Sequence, residues 1–310
     1  MTRRFASPQA FKQSLEARLM AEARKTGEDI GRLRQLVVFD RFMARVEKVL
    51  PGNVLLKGGV ALELRLAAAR ATKDIDLSVT GSPRRVPSIL MDGVQSFSDD
   101  GFLFRLEASK KKPEISVEMT RYGGHRFVAS ARLAGALYGS QFGVDVVYGH
   151  DLSGASELLH FRDLLGPLGI PPAVVTTTNR ETHIAEKLHA YTMPRPGPNS
   201  RTKDLPDIAL LAMTGPIGSG PLMAAIRTVF AVRATNPVPP FLPTPREDWE
   251  AVYARIALKN RLKWRTLSDV TVAAAEFINP PLAGVEGVWD PTAWRWQPAS
   301  PLATPDTLEG

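Results

Sequence analysis

The chain has no cysteine among its 310 residues. That excludes disulfide staples and any thiolate metal site. Histidine is scarce, with five in all, and none forms a His-x-x-x-His pair tied to an acid. His183 and His189 are spaced wrongly for one helical face, so zinc is not expected. No apolar run approaches the roughly 20 residues of a membrane span. The opening MTRRFASPQAF lacks the apolar core of a secretory signal. A Gly-x-Ser-x-Gly elbow, P-loop spacing and a Gly-x-Gly-x-x-Gly fingerprint are also missing. Together these absences predict a cytoplasmic protein with no membrane partner and no serine-hydrolase or dinucleotide chemistry.

What is present is basic. Thirty-nine Lys and Arg outnumber 32 Asp and Glu, for a net charge of +7 and a pI near 9.7. Such a balance favours a polyanionic partner or substrate, such as nucleic acid, although a modest arginine excess is also common in soluble proteins.

The most informative stretch is Val54 to Val79, VLLKGGVALELRLAAARATKDIDLSV. A short apolar strand leads into Lys57-Gly58-Gly59, then a helical run from Val60 to Ala68, then a strand from Asp74 to Val79. Successive strand side chains point to opposite faces. Ile75, Leu77 and Val79 can therefore face a core while Asp74, Asp76 and Ser78 face away. Carboxylates two residues apart on one face lie roughly 7 Å apart along a strand and can converge on a hard divalent cation. A Gly-Gly turn at a helix start offers backbone N–H groups and the positive helix end to phosphate. A cation beside a phosphate cradle suits phosphoryl or nucleotidyl transfer.

Ser7-Pro8 reads as a helix cap, and Phe11, Leu15 and Leu19 share one face. A second helix is expected from Ile30 to Leu50, with Arg32, Arg34, Arg41, Arg45 and Lys48 as a solvated basic face. Val86 to Ser96 is expected as a helix, and Phe102 to Leu106 and Ile115 to Met119 as strands, with Lys110-Lys111-Lys112-Pro113 as a charged turn. In Gln141 to Tyr148, Val144 and Val146 share a face and Asp145 points opposite. A lone acid in an apolar strand is costly without a cation, a partner or water; otherwise it belongs at an exposed sheet edge. Thr178 and Glu181 have capping-box spacing before a helix carrying Ile184, Leu188 and Tyr191. Lys187 lies on another face of it, and Met193 to Lys203 reads as a loop. Asp204 and Asp207 follow on a helix burying Leu205, Ile208 and Leu211, where Asp204 suits the N-terminal dipole.

Lys57-Gly58-Gly59 with Leu62 and Arg65, then Thr72 to Ser78, resemble the polymerase-β-type nucleotidyltransferase superfamily. More narrowly, the chain resembles the AbiEii toxin family, which includes the mycobacterial MenT toxins. Ala185 to Ala190 resembles that family's third motif, and Arg201 to Asp207 its fourth. The ordered set spans about half the chain; Lys73 before the acids and Pro206 within the fourth motif depart modestly from the pattern.

The resemblance implies an α+β fold with an α/β-type core. A mixed nucleotidyltransferase sheet with flanking helices would be joined to a mainly helical C-terminal domain. The expected divisions are N-terminal helices over 1–52, a nucleotidyltransferase core over 53–150, a helical domain completing the nucleotide pocket over 151–278, and a Pro-rich irregular tail over 279–310. Asp74, Asp76 and Asp145 would hold Mg²⁺, or Mn²⁺, and Asp145 would help deprotonate the attacking hydroxyl. Lys57, Gly58, Gly59, Ser78, Lys187, Arg201, Lys203 and Asp204 would bind the NTP, with Lys187 on its triphosphate. The implied activity is transfer of nucleotides to the 3′ end of tRNA by a toxin of a type IV toxin–antitoxin pair, opposed by a cognate antitoxin protein. Two alternatives stay open: a nucleotidyl- or phosphotransferase with a protein or small hydroxylic acceptor, and a non-catalytic nucleotide- or RNA-binding module.

Overall fold

The computed structural model describes residues 5–66, 72–97, 100–115, 123–149, 155–194 and 201–298. The chain divides into two compact units, residues 1–179 and 180–310. The first contains helices α1 (Pro8–Thr26) and α2 (Ile30–Val49), strand β1 (Val54–Lys57), helix α3 (Gly58–Arg65), strand β2 (Asp74–Val79), helix α4 (Val86–Ser96) and strands β3 (Phe102–Ala108), β4 (Glu114–Ile115), β5 (Gly124–Leu133), β6 (Ala136–Tyr148), β7 (Ser156–His160) and β8 (Val174–Thr178). The second contains α5 (Arg180–Thr192), α6 (Asp204–Ala212), β9 (Ile217–Gly218), α7 (Ser219–Arg233), α8 (Glu250–Asn260), α9 (Leu267–Leu282), β10 (Val288–Asp290) and β11 (Arg295–Gln297). The α+β class expected from the sequence is the class observed.

In the first unit one mixed sheet runs β3-β5-β6-β2-β1-β8-β7, with β4 also on β5. The β2–β6 and β1–β8 pairs are parallel and the rest antiparallel. The Ser7 hydroxyl caps α1 by accepting from the Ala10 N–H, and Pro8 opens the helix. One face of the sheet is apolar: Ile75, Leu77, Phe142, Val144 and Val146 are all buried. Helix α2 packs on it, and Phe39 and Phe42 meet the Phe142 ring edge-on at 5.1 and 5.3 Å. This apolar layer presses one face of β2 and β6 into the core and leaves their polar face turned away.

The basic residues of α2 are not the solvated face that their spacing predicts. Arg41 and Arg45 are buried. Arg45 donates to both Asp100 carboxylate oxygens, at 2.8 and 2.7 Å, and to the carbonyls of Arg41 and Phe102. Arg41 donates to Asp40 Oδ1 and to the Pro171 carbonyl. Arg32 and Arg34 pair with Glu63 and Glu16, and only Lys48 of the five is exposed. A helix packed between a sheet and two other helices has little free face, so the cations it buries must find partners inside.

The first unit also extends past residue 150. Strands β7 and β8 complete the sheet beside β1, and the stretch from His160 to Pro172 between them is the linker its sequence predicts, with a short helix at Gly166–Leu168. Isolated strands this short carry little periodic signal and are fixed by their neighbours. The stretch after residue 279, expected to be irregular, supplies β10 and β11, which form a small sheet with β9 in order β11-β10-β9 around the buried Trp289. Most of the expected 115–119 strand, the end of the 60–68 helix, much of the 193–203 loop and residues 299–310 lie outside the described residues.

Candidate active site

Strand β1 ends at Lys57, and the chain enters α3 through Gly58 in a left-handed conformation, φ +63°. A Cβ on Gly58 would lie 1.8 Å from Asp76 Oδ2, so only glycine lets this turn sit against the carboxylate. A Cβ on Gly59 would similarly meet Thr72 Oγ1, at 2.6 Å.

The acids of β2 and β6 fall on one face. Asp76 pairs directly with Asp145 across the parallel strands, and Asp74 with Gly143. On the other side Asp76 pairs with Lys57 of β1. On β5, Arg126 stands opposite Asp145, and its Nε donates to Asp145 Oδ2 at 3.2 Å. One row across four adjacent strands therefore reads Lys57, Asp76, Asp145, Arg126, with neighbours about 5 Å apart. Asp74 is exposed, and Asp76 and Asp145 are half-buried.

Burial pushes the Asp145 carboxyl above the usual aspartate value; Arg126 opposes this, and the nearby negative charge of Asp74 adds to it. A carboxylate held up by desolvation and a like charge is poised to accept a proton or a cation. Among the described residues no group of three or more His, Asp or Glu side chains forms a ready metal cage. The donor chemistry nevertheless suits a hard divalent ion, since Asp74, Asp76 and Asp145 supply only oxygen from adjacent positions of one face.

Ser78 lies on the same face but is fully buried. Its hydroxyl has no hydrogen-bond partner among the described residues.

The remaining expected residues sit in the second unit as a group of their own. Lys187 Nζ donates to Asp207 Oδ2 at 2.7 Å and Asp204 Oδ1 at 3.2 Å. Arg201 Nη1 lies 3.6 Å from Asp204 Oδ2. Asp204 and Asp207 are buried, and Lys203 is exposed.

Sequence reading missed two residues at the row of acids. Arg126 had no local signal, because only strand register sets it against Asp145. Gly143 had one: a glycine inside a strand marks close approach of another group. Its N–H donates to Asp74 Oδ1 at 3.2 Å, and a Cβ there would lie 2.6 Å from that oxygen.

Among solved structures the chain is similar to MenT4, a nucleotidyltransferase toxin from Mycobacterium tuberculosis H37Rv. The identity is 15% and the TM-score 0.51, over 88% of this chain and 99% of that one. It is also similar to JHP933 from Helicobacter pylori, at 16% identity and a TM-score of 0.47, over 81% of this chain and 94% of that one. At these identities the likeness to MenT4 concerns the fold, and the other carries no further weight. No curated protein matches the chain in sequence. Residues 41–270 match the family described as nucleotidyl transferase AbiEii toxin, type IV TA system. That range covers most of the chain and takes in both the β2 and β6 acids and the Lys187 group, and the chain belongs to the AbiEii family of nucleotidyl transferase toxins.

Proposed function

We propose that this chain transfers a nucleotide from an NTP to the hydroxyl at the 3′ end of tRNA, as the cytoplasmic toxin of a type IV toxin–antitoxin pair. The observation that carries the reading is the in-register pairing of Asp76 with Asp145, beside the Gly58 turn. Asp74, Asp76 and Asp145 would hold Mg²⁺ or Mn²⁺. When bound, such an ion polarises the α-phosphate and offsets the charge of leaving pyrophosphate.

The chain's own groups do the rest. Gly58 and Gly59 let the triphosphate approach the backbone at the start of α3. Lys57 neutralises phosphate charge without a proton transfer. Asp145 takes the proton of the attacking hydroxyl, a role that its raised proton affinity suits. The oxygen of that hydroxyl forms the new bond to the α-phosphorus as the bond to pyrophosphate breaks. Lys187, Arg201, Lys203 and Asp204 keep the nucleotide roles that the family motifs give them. The net charge of +7 supports a nucleic-acid acceptor, and an antitoxin protein is the partner that family membership implies.

Incubation of the purified protein with each labelled NTP, Mg²⁺ and total tRNA tests the reading. Label at tRNA 3′ ends is the expected result. Label on protein or on a small metabolite, or nucleotide binding without transfer, would replace it with one of the other two classes.

A further inference from the structure

We infer that the turn Lys110-Lys111-Lys112 is the landing surface for the phosphate backbone of the acceptor RNA, immediately upstream of the reacting 3′ end. The inference rests on the RNA-acceptor reading above. It starts from the backbone of Arg126, whose side chain holds Asp145. The Ser109 N–H donates to the Arg126 carbonyl at 2.8 Å, and the Arg126 N–H donates to the Pro113 carbonyl at 2.8 Å. Both ends of the lysine turn are thus tied to the one residue of β5 that faces the acids. Strand β3 runs along β5 up to Ala108, opposite Phe127, and β4 takes over at Glu114, opposite His125. The turn fills the gap between them, so its level along the sheet is that of Arg126, Asp145 and Asp76.

Two strand spacings, about 10 Å, separate the turn from Asp145. That is the span of one or two nucleotide steps, so phosphates just inside the 3′ end would reach the lysines while the terminal hydroxyl reaches Asp145. All three lysines are exposed, and no carboxylate among the described residues is ion-paired with them. Of the nearby acids, Glu107 is engaged by Arg105, and Glu114 flanks the turn without opposing it in an ion pair. Three uncompensated cations on a turn pinned by backbone hydrogen bonds form a preorganised site for a polyanion, where contacts to phosphate position the strand without reading its sequence.

The test is binding of labelled total tRNA across a salt series, with the full chain carrying Lys110→Ala, Lys111→Ala and Lys112→Ala together. We expect an affinity weaker by about 10- to 100-fold at low salt and a log–log salt slope shallower by about 2. NTP affinity and melting temperature should be unchanged, and the triple Lys→Arg variant should restore binding. A control removes three exposed charges elsewhere in the same unit, at Lys25, Arg84 and Arg85. Equal losses in both variants would reduce the effect to net charge and overturn the inference. So would an unchanged salt slope, or loss of antitoxin binding with tRNA affinity intact. If the wild-type chain binds no tRNA at all, the acceptor reading itself falls, an outcome distinct from a wild type that binds and a variant that matches it.

Discussion

At the scale of single residues, the acids and the glycine beside them make separable demands. Asp74→Ala and Asp76→Ala should each lower transfer at least about 100-fold, by removing an oxygen ligand of the cation that would polarise the reacting phosphate. Far-UV circular dichroism should not change, because Asp74 is exposed and Asp76 half-buried; wild-type transfer by both variants would sink the assignment. Gly58→Ala should fail differently. The left-handed backbone costs about 1–2 kcal/mol for a residue with a Cβ, and that Cβ displaces the Asp76 carboxylate. We expect a lower melting temperature together with lost transfer, while Asp76→Ala with Gly58→Ala recovers only the part of the stability lost to the clash, the backbone cost remaining. Lys187→Ala takes the lysine from buried Asp207 and leaves Asp204 with Arg201. Breaking such a pair costs about 3–5 kcal/mol, so urea denaturation should show a less stable protein beside any change in nucleotide use. Pairing Lys187→Ala with Asp207→Asn separates the two effects: stability returns, and a nucleotide defect that persists belongs to the lysine.

At the scale of elements, α2 is the strut that the acid face leans on. It buries Val38, Phe39, Phe42, Met43 and Val46, and its polar residues are drawn in with them. Glu47 is a small liability there. Burial pushes its carboxyl above the usual glutamate value, and a hydrogen bond from the Thr176 backbone amide only partly opposes this. The folded state therefore holds the Glu47 proton more tightly than the unfolded chain does. Its contribution to stability is full at low pH and is lost as pH rises through the raised value. Glu47→Gln keeps an acceptor for Thr176 and removes the charge. It should melt higher than wild type at neutral pH, with the gap closing as pH falls toward the ordinary glutamate range; a gap that widens on acidification would contradict the assignment.

At the scale of the whole molecule, the first unit closes its own sheet. Strand β8 lies parallel on β1 and β7 covers β8. A chain of residues 5–179 should therefore unfold in one cooperative urea transition. A chain ending at 150 lacks both strands, leaves β1 with an open edge and loses the buried Val175 and Ile170. It should show no cooperative transition. Residues 5–179 lack the third and fourth motifs, so folding without nucleotide transfer is expected of them.

Much of this was legible from local pattern alone. The period-two alternation of Asp74 to Val79 assigned the acids to one face and the apolar residues to the other, and Ser7-Pro8 announced the start of α1. Ordered short motifs were enough to suggest the family. Local pattern could not say which strands would be neighbours. Asp145 stands 69 residues from Asp76 in the chain, and their alignment, like the contacts of Arg126 and Gly143, comes from sheet register set by core packing. The same holds for Arg41 and Arg45, whose spacing on α2 is that of a solvated face until two layers close over it, and for Lys187, whose carboxylate partners come from another helix. Sequence period decides which way a side chain points from its own element. What it meets there depends on elements distant in sequence, and only the folded chain supplies them.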